Sequence, residues 1–138
     1  MPAGSTWMCL LLIVAASMLP GSAQNKATAA NPTPVRVWRV GDDSLTSSLR
    51  DALENAFQSS PHFTLSAETK PGTLVATIPT HVQWKKIGTR IRLSFRVDFT
   101  SIDNKNLGAS KGSCWDDAFT KCAAQIVRDA EIAAQRIR

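Results

Sequence analysis

Cys114 and Cys122 stand eight positions apart in the segment GSCWDDAFTKCAAQIV, and with His62 and His81 they are the groups best able to do chemistry in this chain. A nucleophilic enzyme needs a Ser or Cys with a base and an orienting group close by. The Ser113–Cys114–Asp116 region offers part of such a set, and a helix starting there would favour the thiolate. No histidine lies near it in sequence, and there is no Cys-x-x-Cys and no glycine-rich phosphate loop. His62 and His81 lack the short spacing of a helical or strand metal pair, so a metal site with Asp116 or Asp117 is the weaker reading. The residues point to a protein that is not an enzyme and holds no metal or cofactor. A small secreted enzyme using Ser113, Cys114 and Asp116 stands as the alternative.

The fate of the thiols depends on compartment. The chain opens MPAGSTWMCLLLIVAASMLPGSAQ. Its apolar run, Trp7 to Leu19, is shorter than the roughly 20 residues of a membrane span. Gly21-Ser22-Ala23 supplies the small residues that a signal peptidase reads. This predicts a signal peptide over 1–23, a flexible lead-in over 24–34 rich in Ala, Asn, Thr and Pro, and one domain over 35–138. Cys9 then leaves with the signal. The product would be soluble, in the periplasm or secreted.

An oxidising compartment favours a Cys114–Cys122 disulfide. Geometry sets a condition on it. If Ser113 and Asp116 form a capping pair, Cys114 is already helical. Eight residues of helix would then part the cysteines by roughly 12 Å, while a disulfide needs Cα atoms within about 7 Å. The bridge therefore requires a helix start at Asp116 or Asp117, with the preceding chain running back beside the helix.

Patterning supplies the elements. Val35–Val40 reads as a strand, and Gly41–Ser44 as a turn with an N-cap. Leu45, Leu49, Ala52, Leu53, Ala56 and Phe57 mark one helix face, and Pro61 ends that helix. His62–Ser66 is a short strand. Leu74 to Lys85 alternates as one long strand interrupted by Pro79, with Trp84 on its core side. Arg90–Thr100 alternates strictly, which means one face is buried and the other wet. Leu107–Lys111 pairs back, and a helix through Phe119, Cys122, Ile126, Ala130 and Ala134 closes the chain. The order β-α-β-β-β-β-α predicts an α+β two-layer sandwich: a mixed sheet with both helices on one face.

The chain carries a net charge of +5, from 16 Lys+Arg against 11 Asp+Glu. A basic exported protein meets anionic partners. The wet face of the sheet collects Arg90, Arg92, Arg96 and Lys85, and Arg36 and Trp38 join it if Val35 and Val37 face the core. Cations around an exposed tryptophan make a candidate docking surface. The same pattern also fits a solvated face that blunts aggregation.

The phrases SSPHFTL (Ser59–Leu65), GTLVATI (Gly72–Ile78) and IRLSFRVDFTSIDNKNLGAS (Ile91–Ser110), in this order of elements, resemble the amino-terminal domain of TolB translocation proteins and the related CsgG-like periplasmic module. The resemblance spans 35–137. It implies an exported, non-enzymatic interaction or assembly module of the bacterial envelope. The expected partner is an envelope protein or an anionic envelope polymer, with no nucleic acid and no membrane span. A structural domain that oligomerises through its sheet is a further alternative.

Overall fold

In the computed structural model, residues 31–137 are described. The predicted signal peptide and most of the lead-in lie outside them. Six strands and two helices follow in the order β1 (Thr33–Arg39), α1 (Ser44–Ser59), β2 (Phe63–Leu65), β3 (Leu74–Ile78), β4 (Gln83–Ile87), β5 (Arg90–Thr100), β6 (Asn106–Trp115) and α2 (Phe119–Gln135). β1 pairs in parallel with β2 on one side and with β3 on the other. β5 runs antiparallel to β3, β4 and β6. The helices pack on each other and on one side of this mixed sheet, so the two-layer α+β architecture stands.

The strand count differs from the sequence expectation, because the long alternating run breaks at Pro79. β3 lies against the carboxy-terminal half of β5, and β4 against its amino-terminal half. Continuing the register of β3 would set Val82 opposite Leu93, but Trp84 stands there. The slip is two residues, which preserves the alternation of faces. Trp84 is thus on the helix side of the sheet, yet it is 61% exposed. The helices pack over the other strands, and β4 lies beyond them with all five residues exposed. The expectation that Trp84 is core is overturned for that reason.

The core is built from alternate strand positions and one stripe of each helix. Val35, Leu74, Ala76, Ile78, Leu93, Val97 and Phe99 meet Leu49, Leu53 and Phe57 of α1 and Ile126 and Ala130 of α2. Phe57 meets Phe63 edge-on at 4.9 Å between ring centres, a favoured aromatic geometry. Asp43 caps α1, its carboxylate accepting from the Thr46 N–H at 3.1 Å and from the Thr46 hydroxyl at 2.6 Å. Thr46 Oγ1 in turn accepts from the Val82 N–H at 3.0 Å, and His81 Nδ1 lies 2.5 Å from Asp43. One capping carboxylate therefore anchors the linker between β3 and β4 onto α1.

Candidate functional site

The cysteines occupy different elements. β6 runs on to Trp115, four residues past its expected end, and α2 starts only at Phe119. Neither Ser113 nor Asp116 nor Asp117 caps α2; its N-cap, Ala118, makes no side-chain cap bond. Cys114 faces the core from the strand end and Cys122 faces it from the first turn of the helix. They form a disulfide with Cα atoms 5.9 Å apart. The extension of β6 was hard to foresee, because Gly112 and Ser113 are poor strand formers.

The track Gly108-x-Ser110-x-Gly112-x-Cys114 is small at every second residue, and α2 lies over it. A Cβ on Gly112 would come within 2.9 Å of both Gln125 and the Phe95 ring. Gln125 donates to the Lys111 carbonyl at 3.0 Å, and Arg136 to the Leu107 carbonyl at 2.6 Å. Ser110 meets Asp129 at 2.5 Å. α2 is thus laced to β6 by one covalent and three polar links.

This arrangement disperses the Ser113–Cys114–Asp116 group. Ser113 and Cys114, being adjacent on a strand, point to opposite faces. Cys114 is buried and bonded, and Asp116 turns to the Ile91 N–H at 3.4 Å. Nucleophile, base and acid do not converge. The histidines are equally separated. His62 sits by the start of β1, 4.0 Å from Glu131, while His81 sits past its end beside Asp43. Among the described residues no group of three or more His, Cys, Asp or Glu side chains is placed to hold a metal ion.

The wet face gathers the predicted cations unevenly. Arg96 is spent on its neighbour Asp98 at 2.7 Å, and Arg90 reaches Asp117 at 2.9 Å. Arg92 stands opposite both Lys85 and Trp115, on the two strands that flank β5. The Trp115 ring lies beneath two guanidinium groups, 4.1 Å from Arg90 and 5.2 Å from Arg92. Arg92 also donates to Ser113 Oγ at 2.8 Å. A groove continues from there past the disulfide to Lys121 and Arg128 on α2. Arg36 and Trp38 lie on the same face but at the other end, with Arg36 5.1 Å over the Trp38 ring and Trp38 52% exposed. The cations expected on a single basic face fall into two separate aromatic–cation clusters. Trp115 was missed because the expected last strand stopped at Lys111, and Lys121 because only the packing of α2 on β6 brings it to this groove.

One carboxylate is strongly perturbed. The Thr46 hydroxyl, followed by His81, holds Asp43 far below the usual carboxylate range.

An α+β module with cationic, aromatic corners and a disulfide-tied helix is the class these features define. No family model matches the chain, and no curated protein matches it in sequence. Solved structures do match in fold. Protein XCC0632 from Xanthomonas campestris, of family DUF330, superposes with a TM-score of 0.55 at 11% identity, over 80% of this chain and 92% of its own. A minor lipoprotein from Acinetobacter baumannii gives 0.50 at 11% identity, over 77% and 94%. PelC from Paraburkholderia phytofirmans gives 0.46 at 10%, over 80% and 92%. The first two of these neighbours correct the TolB and CsgG-like reading. That resemblance rested on element order and segment style, which domains of unrelated families share once a β-α-β unit is followed by antiparallel strands.

Proposed function

We propose that this protein is a non-enzymatic module of the bacterial cell envelope that works by binding an anionic partner, a protein or a polymer, at the Arg92–Trp115–Lys85 corner. The observation that carries the reading is the stacking of Arg90 and Arg92 on one indole ring, with Lys85 opposite Arg92 on the neighbouring strand. Arg90 is paired with Asp117, whereas Arg92, over the same aromatic ring and donating to a hydroxyl, has no carboxylate partner among the described residues and keeps N–H groups for carboxylates or phosphates. Among the described residues Lys85 has no acidic partner, and Lys121 and Arg128 extend the positive surface along the groove. The envelope setting rests on the signal-like amino terminus and on the kinship of fold with a protein described as a lipoprotein. Among the described residues no helix is long and apolar enough to cross a membrane.

The test is a binding titration against envelope extract fractionated into protein and anionic polymer. The double variant Lys85→Glu with Arg92→Glu should lose capture, and binding by the unmodified protein should weaken steeply with salt. Arg96→Gln should bind normally, since that cation is already paired with Asp98. Capture by the double variant at unchanged affinity would remove this corner as the site.

A further inference from the structure

Among the described residues, part of the β1 edge has no backbone partner, and it is remote from the Arg92 corner. β2 pairs only with Thr33, Pro34 and Val35. Within β1 the N–H of Thr33 donates to the His62 carbonyl at 2.9 Å, and the Val35 carbonyl accepts from the Ser66 N–H at 2.9 Å. Odd-numbered residues therefore aim their backbone groups toward β2. Even-numbered ones aim toward β3, as the bond from the Val40 N–H to the Ile78 carbonyl confirms. By the same alternation Val37 and Arg39 present an N–H and a C=O toward β2. But β2 has ended at Leu65, and the chain turns away at Ser66, whose hydroxyl donates to the Glu68 carbonyl at 2.9 Å.

A notch remains along this half of β1. Its wall on the helix side is Arg50 and Glu54 of α1, and its end is Leu65–Ala67. Arg36 and Arg39 border it, while Arg50 is neutralised by Glu54 at 3.0 Å. An edge of unpaired backbone groups is a template for one more strand. The short length of β2 is what leaves it open, and the two arginines set the sign of charge that fits.

We infer that the free edge of β1, from Arg36 to Arg39, takes up an extended acidic segment of another protein as an added strand, continuing the place that β2 vacates. Main-chain bonds to Val37 and Arg39 supply the register, and acidic side chains meet Arg36 and Arg39.

The experiment pans a displayed library of random dodecapeptides on the purified protein and follows the enriched peptides by amide hydrogen exchange. The expected peptides are rich in Asp and Glu among β-branched residues, and they slow exchange at Val37 and Arg39. Arg39→Pro deletes an edge N–H that the β1–β3 ladder does not use. It should weaken these peptides about tenfold, the loss of one main-chain bond and one charge. The double reversal Arg36→Glu with Arg39→Glu, which keeps every backbone donor, should weaken them as well and shift selection toward basic peptides. Arg92→Glu should leave them bound. The inference is overturned if no enriched peptide protects Val37 and Arg39, if protection falls on β4 or β6 instead, or if the charge reversal leaves both affinity and peptide composition unchanged.

Discussion

Cys114, at the end of β6, is joined to Cys122, in the first turn of α2, with their Cα atoms 5.9 Å apart. The link ties a helix that lacks a side-chain cap to the strand it packs on. It also closes the loop carrying Trp115 and Asp117, both of which touch Arg90.

Replacing both cysteines by alanine should lower unfolding free energy by about 2 kcal/mol, the scale for a loop of this length. Denaturant midpoints with and without reductant check this. The unmodified protein should shift under reductant, and the double variant should not. Equal midpoints for the oxidised and reduced protein would mean that the three polar links hold α2 on β6 unaided.

Gly112→Ala tests the closeness of that packing. The new methyl would press on Phe95 and Gln125 at 2.9 Å, and Gly112 has no positive φ to blame. A loss of about 1–3 kcal/mol is expected, as for an overfilled core. An unchanged melting temperature would show that α2 can move off the strand at little cost.

Asp43 should govern the acid limb of stability. Its folded-state affinity for protons is depressed, with the Thr46 hydroxyl as the larger cause and His81 as the second. Its contribution is then complete above the unfolded value of about 3.9 and is lost as pH falls below it. Asp43→Asn, which still caps but carries no charge, should lower stability at pH 7 and flatten the profile below about pH 4. Asp43→Ala also abandons the buried Thr46 hydroxyl and should cost about 2 kcal/mol at neutral pH. Denaturant midpoints taken from pH 2 to 7 distinguish the two. An acid limb as steep in Asp43→Asn as in the parent would assign it to other carboxylates.

Trp84→Ser should be nearly silent, within about 0.5 kcal/mol, because the ring is exposed at a strand that no helix covers. A core tryptophan truncated in this way would cost about 3–5 kcal/mol. The melting temperature separates the two outcomes without further interpretation.

The sequence by itself determined most of the elements and which of their residues share a face, though not the break at Pro79 or the full length of β6. Strict alternation in β5 named Leu93, Phe95, Val97 and Phe99 as core, and helical spacing named Leu49, Leu53 and Phe57, all of them buried. Those signals are local, since strand and helix periods are written over a few consecutive residues. The α+β layering followed, because apolar faces of that kind must cover one another.

Only the tertiary structure decided where the alternation has consequences. Trp84 kept its parity with the core and lost its burial, since burial depends on whether a helix lies overhead. Arg96 read as a docking cation and proved to be paired with Asp98. The cap that joins Asp43 to His81, and the strand that carries Cys114 beside Cys122, both depend on contacts between separate elements. Pairing, coverage and charge neutralisation are relations across space, and a one-dimensional pattern records them only where the partners are also neighbours in the chain.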